Sequence, residues 1–226
     1  MKILLKKEAL LAITLVAPFI YLAFVWQDIP ARVPTHFNAS FQIDGWMPKT
    51  LGVLLMPCTS IFAVILSLAL LRFDPRLAKN DTDTREHVRG VMLTVLIALC
   101  LFLGACSVAI VQASWKNLTW ITRSITIGLP LLLLVLGNCL GKLRPNYAIG
   151  IRCPWTLESA AVWNRTHRLG GRLLVILSLI MLATVALGLG SSHFVWIILG
   201  ALLGWSVITI GYAFALSRKE TSRVGP

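Results

Sequence analysis

Between Gly137 and Gly171 the chain reads GNCLGKLRPNYAIGIRCPWTLESAAVWNRTHRLGG, a polar connection between two long apolar runs. It gathers Arg144, Arg152, Arg165, Arg168, Trp155, Trp163, His167, Asn138, Asn146 and Asn164. Guanidinium groups bind phosphate or carboxylate through a planar fork, indoles stack, and Asn and His make directed hydrogen bonds. His167 has the chemistry of a general base. Glu158 is the stretch's only carboxylate, however, and no GxSxG, HExxH or paired-carboxylate pattern occurs. The stretch therefore reads as a docking surface, with Asn138, Arg144, Asn146, Arg152, Trp155, Trp163, His167 and Arg168 as the contact residues, and not as an enzyme site. The competing reading is a lipid-modifying enzyme or permease that uses Arg152, Arg165 and His167 as a headgroup clamp.

Local signals suggest how the stretch is built. Pro145 and Pro154 bias Arg144 and Cys153 away from helix, so the segment between them should be extended or turn-like. Thr156 then stands as an N-cap, with Glu158 in the first turn. A helix over 157–169 would put Ala161, Arg165, Arg168 and Arg172 on one stripe and Ser159, Val162, Trp163, Thr166 and Leu169 on the other. That pattern predicts a helix lying along the membrane surface and stopping at Gly170-Gly171.

The membrane itself is inferred from composition. Of the 226 residues 57% are hydrophobic and 13% charged, whereas soluble domains carry about 25% charged residues. Apolar runs at about 9–26, 51–71, 91–113, 124–140, 173–190 and 194–216 each approach the roughly 20 residues a bilayer core demands. The expected fold is all-α: a polytopic integral membrane protein of six transmembrane helices. Of the 21 Lys and Arg, 17 fall in the N-terminal segment, alternate connections and the tail, leaving Arg32, Lys49, Lys116 and Arg123 on the other side. The positive-inside rule then places both termini and the 137–171 loop in the cytoplasm, in an inner membrane. The formal charge of +12 is read as orientation and contact with anionic membrane lipids, with no direct nucleic-acid binding expected. The runs hold no ionisable residue well inside them, which argues against a proton- or ion-coupled transporter.

Further features concern packing and the outer loop. Gly200 and Gly204 form a GxxxG spacing, for which packing within the chain is preferred over dimerisation. Pro18, Pro57, Gly128 and Pro130 predict bends in helices one, two and four. Ser191-Ser192-His193 should close a tight hairpin between the last two helices. The five cysteines lack a disulfide or zinc spacing and read as small buried apolar residues. In the outer loop, residues 27–49, Pro30 and Pro34 keep the chain extended and Asp44-Gly45 signals a turn. Pro34, His36, Asn38 and Asp44 are its candidate ligand-binding residues, and a structured turn anchored by Phe37, Phe41 and Trp46 is the equal alternative. His36 and Asp44 are too few ligands for a metal site, and no cofactor is expected.

The connector residues Gly137-Asn138, Arg144-Pro145-Asn146-Tyr147, Gly150-Ile151-Arg152, Pro154-Trp155-Thr156-Leu157, Trp163, Thr166-His167 and Gly170-Gly171 resemble the signature of the SdpI immunity-protein family. Ile29-Pro30, Val33-Pro34-Thr35-His36-Phe37-Asn38 and Asp44-Gly45 resemble an uncharacterised N-terminal domain often joined to it. Phe41 departs from that pattern: a Gly often stands there, which points to a different turn. The resemblance implies a two-helix unit over 1–72 followed by a four-helix unit over 73–226, in a bacterial inner-membrane protein. In that family the best-known member protects its producer from a secreted toxic peptide and holds a transcriptional repressor at the membrane. By resemblance, the outer loop would sense a toxic peptide, and the inner loop would hold a cytoplasmic, repressor-like partner and transduce the signal.

Overall fold

The computed structural model describes residues 2–79, 82–188 and 194–221. Among these described residues nine α-helices and one hairpin follow in the order α1 (Lys2–Val25), β1 (Arg32–Phe37), β2 (Ile43–Pro48), α2 (Lys49–Phe73), α3 (Pro75–Lys79), α4 (Thr82–Ser114), α5 (Thr119–Arg123), α6 (Leu129–Leu140), α7 (Pro154–Glu158), α8 (Ala160–Ala186) and α9 (Phe194–Thr221). Six helical segments among the described residues are long and apolar enough to cross a membrane. The chain is thus a multi-pass membrane protein. Large apolar side chains face outward along these segments, Phe24 and Phe73 most of all, because lipid rather than protein covers them.

The bundle is built around α4, which packs against α1, α2 and α6, while α6 packs on α8 and α8 on α9. The fourth span is broken: α5 passes into a π-helical turn at Ser124–Gly128 before α6 begins with Pro130 in its first turn. Proline lacks the donor that would close a regular turn there, so the bend expected at Gly128 and Pro130 sits at a π turn. Ser191-Ser192-His193 lies outside the described residues.

The two ends of the bundle are chemically different. At one end Glu8 of α1 pairs with Arg89 of α4 at 2.7 Å, and Lys7 donates to the Gly90 carbonyl at 2.8 Å. The 74–79 and 141–159 segments and the C-terminal turn of α9 gather at this same end. At the other end the hairpin sits on α2 and α4. There Trp115 donates its indole N–H to the Asp28 carbonyl, and Lys49 lies 4.6 Å over the Trp26 ring.

Several expectations change here. The outer loop is a two-stranded antiparallel ribbon pairing Arg32 with Pro48 and Phe37 with Ile43. Asp44-Gly45 lies inside β2; the reversal falls at Asn38–Gln42, where the Asn38 carboxamide oxygen accepts the Ser40 and Gln42 N–H groups at 3.0 Å. Phe41 adopts at φ 59 the left-handed backbone that glycine would adopt freely, which places a phenyl ring in the turn. Gly200 and Gly204 face away from the bundle, with nothing within 4 Å of a Cβ at either. Their spacing therefore packs against none of the described helices. The cysteines are all unpaired, but only Cys100 and Cys139 are buried as expected; Cys106 and Cys153 are partly buried and Cys58 is exposed.

Candidate functional site

The basic connector is not a surface helix. Helix α7 begins at Pro154, ahead of the expected Thr156 N-cap: extended Cys153 caps it, Thr156 is its third residue, and it ends at Glu158 because Ser159 turns extended. The Ser159 hydroxyl oxygen accepts the Val162 N–H and caps α8, which then runs through Gly170-Gly171 as the fifth span without a stop. The two stripes survive on different terms. Arg165, Arg168 and Arg172 are exposed, while Val162, Trp163, Thr166, His167, Gly170 and Gly171 face protein.

Segment 141–153 folds back over that buried face. Asn146, with no exposed surface, ties the turn: its oxygen accepts Ala148 N–H and Ile149 N–H at 2.8 Å, and its amide donates to the Arg144 carbonyl. Trp163, also fully buried, donates its indole N–H to the Leu143 carbonyl at 2.8 Å and stacks on His167 with ring centroids 3.9 Å apart. His167 is used at both nitrogens. Nδ1 meets the Trp163 carbonyl at 2.9 Å, and Nε2 accepts the Ile151 N–H at 2.9 Å, which requires the neutral Nδ1–H tautomer. Gly150, at φ +127, permits this: a Cβ there would stand 2.4 Å from His167 Nε2 and 3.1 Å from the Trp163 ring.

Asn146, Trp163 and His167 are therefore placed as the internal frame of the connector, with no surface for a partner to touch. His167 has no free nitrogen for acid–base work. Trp155 is half-buried in an edge contact with Phe214 of α9, centroids 5.1 Å apart. The exposed members of the set are Asn138, Arg144, Arg152 and Arg168. Arg152 donates to the Tyr147 carbonyl at 2.7 Å, and Arg144 reaches Thr84 and, at 3.5 Å, Asp83.

Residues outside the sequence-derived set complete the frame. Asp74, 3% exposed, receives the Arg76 and Leu77 N–H groups on one oxygen and the Tyr147 N–H on the other. Arg76 lies 4.5 Å over the Tyr147 ring and donates to the Leu157 carbonyl. Thr156 closes α7 by donating to the Ile151 carbonyl and accepting the Cys153 N–H. The Ser159 hydroxyl donates to the Glu220 carboxylate at 2.7 Å, fixing α9 to the connector. Asp74-Pro75 carries the one sequence signal that could have pointed here, since Asp before a helix-starting proline is an N-cap pattern.

At the far end, His36 Nδ1 lies 2.5 Å from the Asp44 carboxylate across the ribbon. Asn38 is spent on its own turn, its amide donating to the Gln42 side chain at 3.0 Å. Pro34 is buried opposite Trp46. Beneath the ribbon lies a cavity of about 550 Å³, walled by Phe37 and Phe41, Met56, Ile110 and Ile125, and Trp196 of α9, with His36 and Asn38 at its rim. It is mostly apolar with a few polar groups at one edge, the usual make-up of a ligand site. Among the described residues no three His, Cys, Asp or Glu side chains come together as metal ligands.

Residues 142–213 match the SdpI/YfhL protein family, and residues 13–61 match a domain of unknown function, DUF1648. The immunity protein SdpI of Bacillus subtilis (strain 168) is 22% identical over 178 residues, covering 78% of this chain and 80% of that protein. No solved structure matches the chain.

Proposed function

We propose that this chain, a multi-pass membrane protein whose 142–213 segment matches the SdpI/YfhL family, is an immunity protein protecting a bacterium from a toxic peptide. The ribbon and the cavity beneath it face outward and receive the peptide. Both termini and the connector face the cytoplasm of a bacterial inner membrane, where Arg144 and Arg152 dock an acidic face of a partner protein.

One observation carries the reading: a single helix, α2, joins both ends. Val33 of the ribbon seats on Gly52, where a Cβ would stand 2.3 Å from its methyl carbon. Asp74, at the other end of the same helix, holds Tyr147 of the connector. A ligand that shifts the ribbon thus acts on an element whose other end fixes the docking face, which is the coupling that signal transduction requires. The name and the coverage of the Bacillus relative support the protective role. The neutral, doubly bonded His167 supports docking over lipid chemistry.

The test is a deletion strain of a host carrying the gene, exposed to conditioned medium from toxin-producing relatives. Sensitivity should rise at least tenfold and return to the original level when the gene is restored. A parallel pull-down with the full-length protein should recover a cytoplasmic partner that is lost in an Arg144→Ala, Arg152→Ala variant. Unchanged sensitivity together with no partner would overturn the reading.

A further inference from the structure

Where α6 ends against the first turns of α8, the two backbones nearly touch. A Cβ on Gly171 would stand 2.6 Å from the Gly137 carbonyl oxygen, and one on Gly137 would stand 2.9 Å from the Gly171 carbonyl oxygen. The crossing leaves a groove of about 410 Å³ floored by those glycines. Asn138 and Lys142 line it from the α6 side, Arg168 and Arg172 from α8, and Ile176 closes its apolar end.

The charges in this groove are unbalanced. Arg89 pairs with Glu8, Arg144 with Asp83, and Arg76, Arg85 and Arg152 donate to backbone carbonyls. Among the described residues, the side chains of Lys142, Arg168 and Arg172 make neither an ion pair nor a hydrogen bond, and no carboxylate lines the groove. Three like charges around one small cavity repel each other until an anion enters.

The groove also changes character along its length. Arg168 and Arg172 are one turn apart on the exposed face of α8, and one turn further on stands Ile176, 54% exposed. Cations at the membrane edge giving way to an apolar lipid-facing surface fit an amphiphile, with its phosphate above and its chain below. Asn138 adds a neutral donor of the kind that holds a phosphate or glycerol oxygen.

We propose that this groove binds the phosphate of an anionic membrane phospholipid between Lys142, Arg168 and Arg172, with the lipid's acyl chain laid along Ile176. Inorganic phosphate shares the headgroup chemistry, but the apolar continuation selects the lipid. The bound lipid holds the Lys142 end of the connector against α8. The site is separate from the ribbon cavity and from the Arg144 and Arg152 face, so the proposal does not depend on the immunity role.

Native mass spectrometry of the full-length protein in a neutral detergent tests it, with dioleoyl phosphatidylglycerol, dioleoyl phosphatidylcholine and inorganic phosphate as the added probes. Phosphatidylglycerol should bind in preference to phosphatidylcholine, and R168Q/R172Q should lose affinity for it by roughly tenfold or more. R165Q, exposed on α8 but outside the groove, should retain it. R168K/R172K keeps the charge without the bidentate fork and should recover part of the affinity. K142Q, on the opposite wall, provides a second variant if the double one fails to fold, and should also weaken binding. Equal binding of the two lipids, undiminished phosphatidylglycerol binding in both R168Q/R172Q and K142Q, or displacement of the lipid by an equal concentration of phosphate would overturn the proposal.

Discussion

The Asp74 carboxylate, just past the end of α2, accepts the Tyr147 N–H at 2.6 Å and so ties the helix under the ribbon to the connector bearing the arginines. Its other oxygen takes the Arg76 and Leu77 N–H groups, which opens α3, and Arg76 then covers the Tyr147 ring. One nearly buried carboxylate therefore fixes two segments that are distant in sequence.

Replacing Asp74 by alanine removes the acceptor for three backbone donors, so the expected loss is about 3 kcal/mol. Asp74→Asn keeps the shape and one acceptor oxygen and should lose less. Thermal unfolding in detergent measures both, and limited proteolysis should show the connector opening first. Equal stability of Asp74→Ala and the parent would mean that this tie does not hold the connector.

His167 and Gly150 form a second pair whose chemistry is internal. His167→Leu leaves the Ile151 N–H without its acceptor, at a cost of about 2 kcal/mol. Gly150→Ala should push the stacked rings apart and alter the near-ultraviolet circular dichroism of Trp163. Because no His167 surface is exposed, His167→Gln should spare partner capture relative to Arg152→Ala. Capture lost in a folded His167→Gln protein, with Arg152→Ala harmless, would reverse these roles.

Length and hydropathy made the six spans legible, since a bilayer core accepts little else. The helix through Gly170-Gly171 was not, because a Gly pair reads as a stop until Gly137 arrives from another helix to occupy the space. The buried roles of Trp163, His167 and Asn146 were equally hidden: polar residues in a loop read as exposed unless their backbone partners are known. The ribbon escaped because two prolines in a short segment signal only extended chain. A lone pair of strands is marginal by itself; this one is held by Val33 seated on Gly52, a contact distant in sequence.

The turn of that ribbon offers a balanced prediction. Phe41 at φ 59 carries a left-handed strain of about 1–2 kcal/mol, while its half-buried ring gains about the same by covering the core. Phe41→Gly should therefore change stability by less than about 1 kcal/mol, while removing one wall of the apolar cavity. Unchanged unfolding with weakened binding of an apolar peptide is the expected pair of results. A large loss of stability would make the ring a core residue and leave nothing to say about ligands.

Orientation is open to a direct measurement. Green fluorescent protein fused after Pro226 should fluoresce, and alkaline phosphatase inserted between Ala39 and Ser40 should be active, if the basic end faces inside as the positive-inside rule expects. A dark C-terminal fusion with active phosphatase at the same end would invert the molecule and move the arginine face out of the cytoplasm.

The contact between Gly52 and Val33 allows the two ends to be tested together. A Cβ at Gly52 would lie 2.3 Å from the Val33 methyl and 3.0 Å from that of Thr35, so Gly52→Ala must lift the ribbon from α2. Overpacking of this kind costs about 1–3 kcal/mol. Faster hydrogen exchange at the β1 and β2 amides is expected, with the connector amides 146–151 unchanged in the absence of peptide, since their hydrogen bonds lie at the opposite end. If α2 transmits binding, a toxic peptide should alter connector exchange in the parent protein and do so much less in Gly52→Ala. The same response in both proteins would show that the ribbon's seat on α2 is structural only, and that any coupling runs through α1 or α4.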